Sequence, residues 1–309
     1  MKLSSLFKDK AYAFSQVGNP EDDCKFAATL LEKTEPDLKI TDIFLWGVTD
    51  YYDVFMLIDA KKRFFKLKIS LSDPDGFLKR ESVVLRRNAC PSLPILLNYG
   101  TIKIGEEVTY LLTRIPSGES IRSHGRSCLM NNLDLFFKSY WTFVKSNNVK
   151  PTYKKIINYF TKSLIPQHTL PKDSLLALKE YSDYDACEKF LLDLRADILN
   201  CFEDIQKKLN KKCHARLSLD SIFYYGGGFY FEELHHVCMG HPYIDFCDLL
   251  IEMGSPEEND VSLWKKFCES GSYPQDRELY YKVYQMCLRK KLADLFFSYI
   301  KEPIFGVKA

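Results

Sequence analysis

The sequence predicts an α+β fold in two lobes, and three observations carry the prediction. β-branched and aromatic residues alternate through TDIFLWG, YDVFMLID, RFFKLKIS, PILLNYG and EVTYLLTRI, all before residue 116. Beyond that point apolar residues recur at three- and four-residue steps, the signature of helices packed on one face. Between the two regions stands Ile115-Pro116-Ser117-Gly118, a turn composition suited to a hinge.

Taken in order, residues 1–40 read as an N-terminal extension, and 41–116 as a small five-stranded lobe with one helix. Three antiparallel strands lie between Thr41 and Ser70, the last two separated by Ala60-Lys61-Lys62. The breaker cluster Ser72-Asp73-Pro74-Asp75-Gly76 then caps a helix with Phe77, Glu81, Val84 and Leu85 at helical spacing. Pro91 and Pro94 end it, and two more strands follow. Residues 117–309 form the helical lobe, with helices expected over Leu129–Ser146, Thr152–Leu164, Asp173–Tyr181 and Tyr184–Leu209. A hairpin, SIFYYGGGFYF, turns on glycines 226–228, and the helix YIDFCDLLIEM stops at Gly254 and Pro256. Helices at Val261–Glu269 and Arg277–Lys301 close the chain.

Composition narrows the function classes. At about 150 residues per domain, 309 residues suffice for two lobes, each with its own core. Forty-three Lys and Arg against 41 Asp and Glu leave a net charge of +2, so no broad basic surface for nucleic acid is expected. Ten cysteines are scattered without a CxxC pair, which suggests reduced thiols. No stretch approaches 18 apolar residues and the N-terminus has no signal-peptide core, so the expected location is the cytoplasm, or a host cytosol if the protein is an exported effector.

In FFKLKIS, LKRESVVL, LPILLNYG and YLLTRIPSGESI, and again in CHARLSLDSIF and MGHPYIDFCDLL, the chain resembles the aminoglycoside phosphotransferase and choline kinase family of kinase-like folds. The resemblance spans residues 40–255 and rests on the order and spacing of six motifs. It implies a two-lobe protein-kinase-like fold that binds ATP with Mg. Phosphoryl transfer needs a cation on the phosphates, a carboxylate holding that cation, metal ligands and a residue orienting the acceptor hydroxyl.

On that pattern Lys68 matches the strand lysine and Glu81 its helix partner, although Lys66 lies on the same strand face and the residues leave open which of the two serves. Gly47 opens the loop expected to cover the phosphates. The catalytic loop departs from the family: where His-Gly-Asp is usual the chain reads His214-Ala215-Arg216, and Ser221 stands at the Asn position, with Asp220 beside it. Arginine cannot accept a proton from an attacking hydroxyl. The next metal-binding aspartate falls on Glu233, beside Glu232, so Asp220 and Glu233 are the candidate metal ligands. Asp245 matches a residue that braces the catalytic loop. His235, His236, Cys238 and His241 are soft ligands, but their spacing is not a standard zinc pattern.

The first reading is therefore a pseudokinase, a nucleotide-binding protein with degenerate catalytic residues and a regulatory or scaffolding role for a protein partner. The alternative is an active ATP-dependent phosphotransferase or nucleotidyltransferase acting on a small hydroxyl compound or a protein. The sequence does not identify the acceptor.

Overall fold

The computed structural model describes residues 19–49, 51–71, 73, 76–87, 90–116, 119–146, 154–161, 164, 184–254 and 257–305. The helix expected over Asp173–Tyr181 and the hinge residues Ser117 and Gly118 lie outside the described residues. The chain divides into two compact units, Met1–Asn148 with Asp220–His235, and Val149–Leu219 with His236–Ala309.

The first unit is built on a five-stranded antiparallel sheet: β1 (Ile40–Val48), β2 (Asp53–Asp59), β3 (Phe64–Ser70), β4 (Ile95–Ile104) and β5 (Glu106–Ile115), in the order β1-β2-β3-β5-β4. One face is covered by α1 (Pro20–Thr34), a helix within the expected N-terminal extension. Its start is written in the sequence. Asn19 caps the helix by accepting from the Glu21 amide at 3.0 Å, Pro20 takes the first turn, and Glu21, Asp22 and Asp23 face the positive helix end. Phe26, Ala27 and Leu30 of α1 pack on Phe55, Leu57, Leu67 and Leu112.

The other face of the sheet carries Val54 and Leu111, which pack with Tyr52 and with Leu78 of α2 (Phe77–Arg87). Because side chains alternate along a strand, Lys66 and Lys68 of β3 share one face; they lie across from Met56 and Val54 of β2. Both lysines are buried.

A second, smaller sheet and three helices also belong to this unit. A three-stranded sheet joins β6 (Glu119–Ser120) to the hairpin β8 (Ile222–Tyr225) and β9 (Gly228–Phe231), with Gly226 and Gly227 both at positive φ (60° and 75°) in a two-residue turn that only such backbone freedom permits. The helix expected over Leu129–Ser146 is two pieces, α4 (Arg126–Asn131) and α5 (Leu133–Lys145), after the single-turn α3 (Ile121–His124). Asn132 makes the break, its side-chain amide donating back to the Cys128 carbonyl at 2.8 Å. The aromatic face of α5 packs on the hairpin, with Phe136 5.4 Å from Phe229 and Phe143 5.6 Å from Phe231.

The second unit is mostly helical: α6 (Lys154–Thr161), α7 (Tyr184–Ile205), α8 (Pro242–Met253), α9 (Glu257–Ser270) and α10 (Arg277–Phe305), with a short ladder between β7 (Lys211–Cys213) and β10 (Cys238–Gly240). Gly240 is required by close approach, since a Cβ there would meet Cys213 Sγ at 2.7 Å and Ile156 at 3.1 Å. Tyr280 of α10 stacks on Trp264 at 4.9 Å and is buried in the core of this unit. The nine described cysteines are free thiols, and no described helix is long and apolar enough to cross a membrane.

Candidate functional site

The site grows from β3. Lys68 places its ammonium 2.8 and 3.1 Å from the two carboxylate oxygens of Glu81 on α2, and 3.2 Å from Glu233 Oε1. Glu81 reaches it because α2 is fixed at its start: the Asp73 carboxylate accepts from the Leu78 and Lys79 amides at 3.2 and 3.3 Å. Tyr52, next to β2, donates its hydroxyl to Glu233 Oε2 at 2.7 Å, and Lys68 Nζ stands 5.1 Å from the Tyr52 ring centroid. Tyr52 is held by the β1–β2 turn, where Thr49 Oγ1 accepts from the Tyr52 amide at 2.9 Å and donates to its carbonyl at 2.7 Å. His235 completes the cluster, its Nδ1 3.6 Å from both Glu81 and Glu233.

Lys66 makes a separate pair with Glu232, both groups buried, and its ammonium lies 5.0 Å from the Phe223 ring. The adjacent acids Glu232 and Glu233 thus serve different lysines. Glu233 stands at φ 58°, a left-handed conformation uncommon for a residue with a Cβ, which gives the two neighbouring side chains different directions.

Charge settles the protonation of the knot. Burial alone would pull the Lys68 ammonium down, but the Glu233 and Glu81 carboxylates outweigh it and hold it well above its ordinary value. Burial likewise pushes Glu81 and Glu233 up, and Lys68 reverses both, leaving each carboxyl below the usual range. Burial raises the Tyr52 hydroxyl; Lys68 opposes the shift, the Glu233 and Glu81 carboxylates add to it, and the group stays a donor.

Gly47 lies in β1 beside a register irregularity between Leu45 and Gly47; a Cβ there would meet nothing within 4 Å, so neither packing nor backbone angle demands glycine. Asp220 is engaged by Arg122, Oδ1 to Nε at 2.6 Å, with both side chains exposed. Among the described residues no group of three or more His, Cys, Asp or Glu is arranged to hold a metal ion.

In the second unit, Asp245 of α8 accepts from the backbone amides of His214 and Ala215 at 2.6 and 2.7 Å, and Ala215 sits at φ 61°. The Leu219 amide donates to Glu252 at 2.8 Å. Arg216 is exposed, with Nη1 3.1 Å from His236 Nε2. His241 caps α8 by accepting from the Tyr243 amide at 3.2 Å, and burial lowers its imidazole to about 3, so it is a neutral structural group.

No family model and no curated protein sequence matches the chain. Solved structures do. The amicoumacin kinase hAmiN, in complex with AMP-PNP, Ca2+ and Ami, superposes with a TM-score of 0.61 at 12% identity over 86% of this chain and 84% of that one. Aminoglycoside phosphotransferase APH(3'')-Id from Streptomyces rimosus, with ADP and streptomycin, gives 0.58 at 15% over 87% and 98%. Aminoglycoside phosphotransferase APH(4)-Ia gives 0.57 at 15% over 91% and 92%. The chain has the aminoglycoside-phosphotransferase-like kinase fold. Within that fold, Tyr52 is a polar site residue that sequence reasoning missed, and His235, read there as a candidate soft metal ligand, stands instead beside Glu81 and Glu233. Tyr52 carries no motif, and its contact with Glu233 joins positions 181 residues apart.

Proposed function

We propose that this chain is an ATP-dependent transferase of the phosphotransferase type, which places nucleotide phosphates with Lys68 and passes a phosphoryl group to a small hydroxyl compound or a protein. The observation that carries the reading is the buried Lys68–Glu81 pair on a kinase fold. A lysine held by a carboxylate keeps its charge in a dry environment and offers it to an anion in fixed position. The donor set fits a nucleotide: Lys68 would hold phosphate oxygens, and Glu233, once released from Lys68, would hold a divalent cation together with those phosphates. ATP supplies the phosphoryl group when bound; Glu81 fixes Lys68, and Asp245 fixes the backbone of His214 and Ala215. The solved phosphotransferases and kinase crystallised with nucleotide support a working transferase over a purely scaffolding protein.

Arg216 favours a second reading, the pseudokinase, because no proton acceptor stands at that position. Transfer without a base is slower but not forbidden, since positioning and electrostatics supply most of the catalysis in a loose transition state. The two readings part in one experiment. ADP release and acceptor phosphorylation are followed with Mg2+ or Mn2+, for wild type and Lys68→Ala. Turnover that vanishes in the variant supports the transferase. Lys68-dependent nucleotide binding without turnover supports the pseudokinase, and the absence of binding sinks both.

A further inference from the structure

We propose that the first unit carries a second ligand site, away from Lys68, that takes a phosphomonoester attached to a ring. It is a cavity of about 280 Å³ lined by Lys62, Arg63, Phe64, Arg114, Ile115 and Tyr225. Three of its six lining residues are cations and none is an acid.

The cations converge for reasons written into the sheet. Arg114 of β5 pairs in register with Phe65 of β3, and Arg63, which precedes the strand, holds its guanidinium 5.7 Å from the Phe65 ring centroid. Both arginines line the one cavity, an arrangement one anion can span and that is unfavourable for like charges without one. Lys62 comes from the β2–β3 turn, where Asp59 Oδ1 accepts from the Lys61 and Arg63 amides at 2.9 and 2.8 Å. That turn holds Lys62 at φ 60°, a conformation glycine or asparagine would adopt more easily.

Counting charge identifies the ligand. Asp59 neutralises Arg63, accepting from its Nε at 2.7 Å and standing 2.7 Å from its Nη2. Among the described residues neither Lys62 nor Arg114 has an ion-pair partner. Two unneutralised cations remain, which matches a phosphomonoester of about −1.5 to −2 at neutral pH and exceeds what a carboxylate would supply. Arginine's fork also suits tetrahedral phosphate oxygens. The remaining wall is aromatic: Phe64 is half-buried and Tyr225 is 47% exposed, offering a ring face beside the cations. A phosphate alone would leave that face in water; a ring bearing the phosphate would cover it.

The test is isothermal titration of the full chain with inorganic phosphate and with phenyl phosphate. Both are expected to bind, phenyl phosphate more tightly. Arg114→Gln and Lys62→Gln should each weaken both ligands about tenfold or more, the loss of one charge-assisted contact. Tyr225→Ala should abolish the preference for phenyl phosphate and retain inorganic phosphate. All three side chains are solvent-accessible, so the variants are expected to fold. No binding of either ligand overturns the site, as does binding that both cation variants leave unchanged. Equal affinity for the two ligands in wild type overturns the ring-bearing class.

Discussion

Tyr52→Phe is the most informative perturbation of the Lys68 cluster, because it is expected to move stability and affinity in opposite directions. The substitution removes one hydroxyl and leaves the ring against Lys68. In the unliganded protein that hydroxyl donates to the Glu233 carboxylate at 2.7 Å. A hydrogen bond to a charged group contributes about 1.5–3 kcal/mol. The Glu233 side chain is 35% exposed, so water replaces part of the contact and the low end applies, about 1.5 kcal/mol. At roughly 2–4 °C per kcal/mol for large domains, the melting temperature should fall by about 3–6 °C.

Nucleotide binding should respond the other way. Under the proposed function, phosphates would reach Lys68 only if Glu233 gave up its place 3.2 Å from the ammonium, where the Tyr52 hydroxyl holds it. Weakening the unliganded arrangement by about 1.5 kcal/mol lowers the apparent dissociation constant by up to about tenfold. Thermal unfolding without ligand and titration with AMP-PNP and Mg2+ measure the two effects separately. A variant that is less stable and also binds more weakly would refute the reasoning, placing Tyr52 among the nucleotide's own contacts. Unchanged affinity would mean that Glu233 need not move. If neither protein binds nucleotide, the functional proposal fails instead.

Lys68→Met leaves Glu81 and Glu233 without their cation and should cost about 3–5 kcal/mol in urea unfolding with loss of nucleotide binding, whereas Lys66→Met removes the Lys66–Glu232 pair and should retain binding; binding that follows Lys66 instead would reverse the assignment. Asp53 is fully buried, neither of its carboxylate oxygens has a hydrogen-bond partner among the described residues, and burial followed by the charge of Asp23 raises its carboxyl to about 7. A carboxyl raised in the folded state contributes stability that is complete below its unfolded value near 4 and is lost as pH rises through 7, at most about 4 kcal/mol for three units. Asp53→Asn should therefore be the more stable protein at pH 8 and lack that part of the slope, and parallel pH profiles would exclude the effect. Asp245→Asn can satisfy only one of two backbone amides through its single oxygen, so faster hydrogen exchange at His214 and Ala215 is expected, with a stability loss of about 1.5–3 kcal/mol; unchanged protection there would show that the segment is held by other contacts.

The strands were legible in two ways: β1 and β4 alternate because one face is more buried than the other, while β2, β3 and β5, buried on both faces, read as short apolar runs rich in β-branched and aromatic residues. The period of two of a strand put Lys66 and Lys68 on one face but could not separate them, since their partners Glu232 and Glu81 lie 166 and 13 residues away. Helix α1 was spelled out by Asn19, Pro20 and three acids, local signals that the reading of residues 1–40 as an extension passed over. The break at Asn132 was not legible from periodicity, which continues across it; it depends on a side chain turning back on its own backbone. Tyr52, His235 and the cations at 62, 63 and 114 belong to the remaining class. Each is an ordinary residue in sequence and gains a role only when strands distant in the chain come together.

The buried lysines explain why the site is built from surplus acid. A buried ammonium is costly unless paired, and here two lysines, Lys66 and Lys68, face three carboxylates, Glu81, Glu232 and Glu233. The unliganded cluster is thus formally one charge negative when His235 is neutral, and Glu233, the most exposed of the three acids, is the one that can leave at least cost. Under the proposed function, a triphosphate would meet a satisfied lysine, compete with Glu233 for Lys68 and add negative charge to a cluster already in excess. Glu233, once displaced, would hold a divalent cation, which would supply the positive charge that the phosphate oxygens need. Nucleotide affinity would then be an exchange of partners around one carboxylate, and Tyr52, which holds that carboxylate at 2.7 Å, would set how readily the exchange begins.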